Sequence, residues 1–289
     1  MFTIENTNLT VVISAKGAEL QSIFNKQEQL EYMWSGEAAF WAKKSPVLFP
    51  IVGTLKEDTF YYSNDAYELT RHGFAREMEF KVTGQTGDSI VFTLENTEET
   101  QIKYPFDFKF DIKYALAENR VVVTYHISNK GIGPMYFSVG GHPAFKVPLV
   151  AGNSYNNYYL EFNKLENAGR WPISPDGLIE AKPTELLKAT NVLPLTKELF
   201  AKDALVFKGL SSNGVTLKTD KDKHGLSLDF TGFPYLGIWA AKNADFVCIE
   251  PWCGIADSVN TDQQLVNKEG IQSLQPGKSF ERSWSVTMF

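Results

Sequence analysis

The sequence predicts a large all-β fold, an antiparallel sandwich of two packed sheets. Three observations carry the prediction. More than a dozen short segments alternate apolar and polar residues and end at Gly, Pro, Asn or Asp. Aromatic residues reach 13%, with 21 Phe and 12 Tyr, and such side chains favour the pleated surface of a sheet. Helix-like material is confined to Thr184–Ala204, where two short pieces break at Pro194. With 289 residues and 43% hydrophobic content the chain can bury a substantial core. All-β folds often run to this length as one unit, and no composition break marks a linker, so one domain over residues 1–289 is expected.

In chain order, Leu9–Ala15 and Ala18–Phe24 alternate around Gly17, and Glu37–Lys43 suits a single helical turn. Ser45–Gly53 is apolar but carries Pro46 and Pro50, which points to an irregular buried segment or a sheet edge. Thr59–Ser63 and Ala66–Leu69 form a hairpin about Asn64-Asp65. Glu77–Thr83, Asp88–Glu95, Phe108–Leu116, Val121–Ser128 and Met135–Val139 follow as strands, the last running into Gly140-Gly-His-Pro-Ala-Phe145. After Asn157–Phe162 the stretch Ala168–Pro183 reads as loop. Leu205–Phe207, Gly214–Thr219, Gly225–Phe230, Leu236–Ala241, Phe246–Ile249 and Ser279–Phe289 complete the strands. Tight turns between successive strands favour antiparallel pairing, and the mass exceeds that of a small barrel.

Charge and composition exclude several classes. A net charge of −6 is the wrong sign for a nucleic-acid surface. No apolar run reaches the roughly 18 residues of a membrane span, and the N-terminus lacks a signal-peptide pattern, so a cytoplasmic protein is expected. Cys248 and Cys253, the two cysteines, match no zinc spacing and suit a reducing compartment. No metal or cofactor is expected. There is neither a phosphate-binding glycine loop nor a nucleophile elbow.

Acid–base chemistry remains. In Phe246-Val-Cys-Ile-Glu-Pro-Trp-Cys-Gly254 the strand is expected to stop at Pro251, with Phe246, Cys248 and Glu250 on one face. Glu250 then stands where strand opens into loop, beside Trp252, whose indole suits a flat amphipathic ligand. Four histidines are present. His126 lies inside a strand and His224 follows a charged run, and both read as structural or solvent-facing. His142, held between Gly140-Gly141 and Pro143, and His72, which precedes Gly73, are placed in loops where backbone and ligand can approach closely. A carboxylate and an imidazole together supply a general base and a general acid.

Six short motifs carry a resemblance: Gly17-Ala-Glu-Leu-Gln-Ser22, Pro46-Val-Leu-Phe-Pro-Ile-Val-Gly53, His72-Gly-Phe-Ala-Arg76, Gly141-His-Pro-Ala-Phe145, Asp203-Ala-Leu-Val-Phe207 and Glu250-Pro-Trp-Cys-Gly254. In that order the sequence resembles the aldose 1-epimerase (galactose mutarotase) family, within it the LacX-like branch, from about residue 10 to the C-terminus. The resemblance implies a β-supersandwich with a sugar in an open cleft, and a cofactor-free interconversion of hexose anomers. It makes Glu250 the base that deprotonates the anomeric hydroxyl and His142 the acid that protonates the ring oxygen. It makes His72 a second histidine near that oxygen and Asp203 an acid that holds hydroxyls. Many relatives carry a substrate-binding Arg just after the final Gly of the Phe-Pro segment, whereas this chain has Gly53-Thr-Leu-Lys56; Arg71 or Arg76 is the candidate replacement. A hexose 6-phosphate is the variant substrate, with Lys43, Lys44, Lys56, Arg71 and Arg76 as possible phosphate partners. A sugar-binding protein without turnover is the alternative of another class. Glycoside hydrolysis ranks last, because it usually needs two opposed carboxylates.

Overall fold

The computed structural model describes residues Met1–Phe289 and consists of 23 strands, one short α-helix and five 3-10 turns. The strands pair antiparallel. A nine-stranded sheet is centred on the long strands Phe108–Ala117, Arg120–Asn129 and Ser279–Met288. A six-stranded sheet runs in the order Leu205–Lys208, Tyr235–Trp239, Phe246–Cys253, Val139–Gly141, Val47–Leu48, with Ala144–Lys146 also paired to Phe246–Cys253. A four-stranded sheet over residues 2–31 and two small ribbons complete the architecture. No helix is long and apolar enough to cross a membrane.

The two large sheets pack face to face through the residues that alternation sends inward. Phe49 stacks 4.7 Å from Phe110, and Phe162 lies 6.1 Å from Phe207 (ring centroids). One cluster of 69 buried residues, from Ile4 to Met288, forms this core. At Gly141 the two sheets approach closely. A Cβ there would stand 2.9 Å from the Tyr125 hydroxyl and 3.1 Å from the Trp284 indole nitrogen, which itself donates to Tyr125 at 2.9 Å.

The outer face of the six-stranded sheet is built differently. Register places Trp252 beside Gly140 and Tyr235, and Glu250 beside Gly237. With no side chains in the way, the Trp252 indole lies flat over the sheet: a Cβ on Gly140 or Gly237 would come within 2.6 or 2.4 Å of its ring. Leu48, Val52, Ile179, Val206, Ile255 and Ala256 pack around it as a second, seven-membered apolar cluster.

Four expectations need correction. The strand at Phe246 does not stop at Pro251 but continues to Cys253. Its neighbour is interrupted between Gly141 and Ala144, so the N–H that proline lacks falls where there is no ladder partner. Thr184–Ala204 is not helical: Thr184–Pro194 is an edge strand along Tyr158–Arg170, and only Lys197–Phe200 turns as a 3-10 helix. There, pairing and the burial of Leu187 and Leu193 override a good helical propensity. Residues 75–77 form a 3-10 turn and the next strand begins at Lys81, not Glu77. The hairpin turns at Ser63-Asn64, both at positive φ, one residue earlier than expected. The short edge strand at Val47–Leu48 and the single turn at Glu37–Trp41 agree with the sequence reading.

Substituting Gly237→Ala should force the Trp252 ring off the sheet and lower the unfolding free energy by about 1–3 kcal/mol. Urea titration followed by tryptophan fluorescence measures this, and unchanged stability would mean the indole has room to swing aside.

Candidate functional site

A cavity of about 380 Å3 opens over Trp252, within the range of about 300–1,000 Å3 usual for small-molecule sites. Separate segments deliver polar groups to it, residues 71–76 supplying Arg71, His72 and Arg76. Glu250 comes from the central strand of the six-stranded sheet, where Gly237 beside it leaves space. His142 follows the narrow strand Val139–Gly141, and its Nε2 stands 3.3 Å from Glu250 Oε2, without the alignment of a full hydrogen bond. Such bonds are often loose in unliganded sites. Side-chain exposure is 10% for His142 and 2% for Glu250.

His142 is held by rings. Trp41 lies over it at 5.0 Å, Trp239 stands edge-on at 5.8 Å, and His72 edge-on at 5.7 Å. Trp41 reaches this place because the turn at Glu37–Trp41 folds back over Phe246, against which the indole stacks at 5.5 Å. His142 Nδ1 is buried and has no well-aligned hydrogen-bond partner.

His72 is fixed by its backbone and its ring together. Its φ is +70°, and Gly73 behind it packs against Phe49 so closely that a Cβ would lie 2.4 Å from the Phe49 carbonyl oxygen. The His72 N–H donates to Gly53 O (2.9 Å), and Gly53 N–H donates back to His72 Nδ1 (3.0 Å). An Nδ1 that accepts leaves the proton of the neutral ring on Nε2.

The basic side of the cavity is Arg71 and Arg76. Arg71 Nε donates to Thr54 Oγ1 at 2.8 Å, and its guanidinium lies 4.0 Å from Asp203 Oδ2. Arg76 donates to Arg71 O at 2.9 Å, while its Nε is buried without a partner. Asp203, at φ +86°, caps its own strand by accepting from Ala204 N at 2.7 Å. The other cationic candidates do not border the cavity: Lys43 pairs with Glu77 and Lys44 donates to Gln21 O.

Glu250, His142, His72, Asp203 and Arg71, the five residues singled out in the sequence, thus line one cavity, as does Trp252. His126 and His224 do not. Sequence reasoning missed Trp41, Trp239, Ile173 and Ile179, which also line it. None of these stands in a recognisable motif. Thr54, set aside as a weak substitute for Arg, instead anchors Arg71.

Burial dominates the electrostatics. It pushes Glu250 well above the ordinary carboxylate range; the Asp203 charge adds to this, and the Trp252 indole N–H and Arg71 oppose it. It pushes His142 down to about 3, helped by the positive charges of Arg76 and Arg71. His72 falls well below the usual imidazole value for the same first reason, then through His142, Arg76 and Arg71. Both shifts run the same way: burial disfavours the charged form of the Glu250 carboxyl and of the His142 ring alike. Cys248 Sγ, His142 and Glu250 place their ligand atoms within 4.8 Å of one another, so a thiophilic cation could bind there. It would occupy both members of the acid–base pair.

A cavity on one sheet of a β-sandwich, floored by an indole and holding one carboxylate against one imidazole, defines a small-ligand site equipped for proton transfer. The chain belongs to the aldose 1-epimerase family, whose sequence pattern, described as Aldose 1-epimerase, matches residues 1–287. It is 32% identical to chromosomal protein LacX of Lactococcus lactis subsp. lactis, over 99% of this chain and 98% of LacX. Among solved structures it is similar to the galactose mutarotase related enzyme of Lactobacillus acidophilus (38% identity, TM-score 0.95, 100% of this chain and 97% of that one). The galactose mutarotase-like protein of Lactobacillus casei matches over the whole of both chains, with 31% identity and a TM-score of 0.93.

The ring resonances of His142 and His72 should stay fixed between about pH 5 and pH 8 in NMR titration, unlike an exposed imidazole. For His142, a lowered pKa means the neutral ring persists until the pH falls toward about 3. A midpoint near the ordinary value would show that the pair is open to water.

Proposed function

We propose that this protein is an aldose 1-epimerase that interconverts the α and β anomers of a free hexose or a related sugar. The observation that carries the reading is the buried Glu250–His142 pair, 3.3 Å apart at the cavity floor. In this reading the pair carries one proton, which passes from Glu250 to His142 when sugar binds, so that a carboxylate and an imidazolium face the sugar. Glu250 takes the proton from the anomeric hydroxyl as the C1 carbonyl forms. The C1–O5 bond breaks and its electron pair takes the proton offered by His142. The free aldehyde turns about C1–C2, and closure on the other face reverses both transfers, so Glu250 and His142 end as they began. No net redox change or hydrolysis occurs, and the step asks for no nucleophile.

The remaining groups hold the ring. The Nε2–H of neutral His72 is a fixed donor beside His142, Asp203 accepts from hydroxyls, and Arg71 donates to them. Trp252 offers the flat apolar surface on which a sugar ring can lie. A cytoplasmic setting agrees with the two buried free cysteines.

One observation favours a hexose 6-phosphate as a second reading. Arg76 borders the cavity with a buried, unpartnered Nε, and a phosphate would complete its hydrogen bonding.

Polarimetry on freshly dissolved α-D-galactose and α-D-glucose tests the proposal, with NMR exchange for the 6-phosphates. The wild-type protein should speed equilibration of at least one of these sugars. Glu250→Gln should slow it by about 10²–10⁴-fold while sugar still binds. If no sugar or sugar phosphate equilibrates faster, the cavity is a sugar-binding site without turnover.

A further inference from the structure

The groups that orient the cavity wall converge on one side chain that does not line the cavity. Asp257 is buried, and its Oδ1 accepts from Lys268 Nζ at 2.6 Å, with both side chains only 3% exposed. Its Oδ2 accepts from Lys56 N at 3.0 Å. Its backbone N–H donates to Thr54 O (2.9 Å), and its carbonyl accepts from Ile179 N (2.8 Å). Asp257 thereby fastens two segments that otherwise share no regular ladder, residues 53–56 and the wall that carries Gly177 and Ile179.

Both segments hold the polar groups of the site. Thr54 fixes Arg71, and Gly53 N–H fixes the His72 ring. Gly177 closes over the same pair, since a Cβ there would lie 2.6 Å from Thr54 Oγ1 and 2.7 Å from an Arg71 guanidinium nitrogen. Gly53 in turn packs directly on Ala256, the residue before Asp257. Lys268 neutralises the carboxylate that holds Lys56 N, while the links to Thr54 and Ile179 run through the Asp257 backbone that this side chain fixes in place. A buried carboxylate deprived of its cation must take up a proton or move toward water.

We propose that the Asp257–Lys268 ion pair is a positioning element that sets the orientation of Arg71 and His72, and through them the grip on the sugar rather than the proton transfers. The inference rests on the reading of the cavity as the sugar site, so its test includes a readout that needs no turnover.

Lys268→Met should raise KM about tenfold or more and change kcat by less than about threefold, the pattern of lost binding that is shared by ground and transition states. In the same variant the Gly53 amide and His72 ring nitrogen resonances should shift. The double variant Asp257→Asn/Lys268→Met, which leaves no buried charge, and Lys268→Arg, which keeps it, should each recover part of KM and return those resonances toward wild type. They also supply folded material should Lys268→Met alone fail to fold. The proposal is overturned if these variants only melt at lower temperature, with KM and both resonances unchanged well below the transition. If the wild-type protein turns over no sugar, the function reading fails, yet the Gly53 and His72 signals still decide the positioning role.

Discussion

The constraint on which the rest of the structure depends is the removal of Glu250 and His142 from water. An ionised carboxylate taken into a protein interior costs several kcal/mol unless it is paired or protonated. Here the two groups face each other with 2% and 10% of their side chains exposed. Glu250 Oε2, the atom that faces His142, has no hydrogen-bond partner. The sheet must therefore hold them at a fixed spacing by packing alone. It does so by thinning itself: Gly237 leaves room beside Glu250, Gly140 beside Trp252, and Gly141 lets the strand that leads to His142 sink against Tyr125 and Trp284.

Aromatic packing then closes the sides that water could enter. Trp41 and Trp239 contact His142 and each other, at 5.4 Å, and both lean on Phe246. Tryptophans supply large apolar area with few rotatable bonds, so the box is rigid as well as dry. The opposite rim is cationic. Burial first, and then the positive potential of Arg76 and Arg71, lowers the pKa of both histidines. A neutral His72 can donate only through Nε2, because Nδ1 is already engaged by Gly53. The direction of each proton in the site is thus decided by neighbours outside the reacting pair.

Much of this was legible in the sequence because backbone demands leave chemical marks. Gly140-Gly141 before His142 and Gly73 after His72 mark places where a Cβ would collide, and both histidines indeed stand in such tight passages. Alternation at Phe246, Cys248 and Glu250 placed the carboxylate on the cavity face. Pro251 misled in the same stretch, because its effect depends on whether the neighbouring strand is continuous, which local sequence does not record. Thr184–Pro194 misled for a related reason: its leucines are good helix formers, but Tyr158–Arg170 presents an edge to pair with. Trp41 and Ile179 carried no signal. They reach the cavity only through long-range folding of a turn and a loop, and nothing in their immediate neighbours encodes that approach.

The arrangement also explains why the site is assembled from segments so far apart in the chain. On the proposed function, a pair that both gives and takes a proton in each cycle gains from being fixed in distance, since the same geometry then serves ring opening and closure. Strand-borne Glu250 and glycine-braced His142 provide the fixed distance. The groups proposed to hold hydroxyls, by contrast, sit on loops: Arg71 on Thr54, Asp203 at its strand entry, and His72 in its left-handed turn. On the proposed function, reaction and recognition fall to different mechanical parts: the sheet would keep the Glu250–His142 pair unchanged while changes in residues 53–56, 71–76 and 173–179 retune which sugar is held. Arg71 illustrates the principle: Thr54 tethers a guanidinium that enters the cavity from another loop.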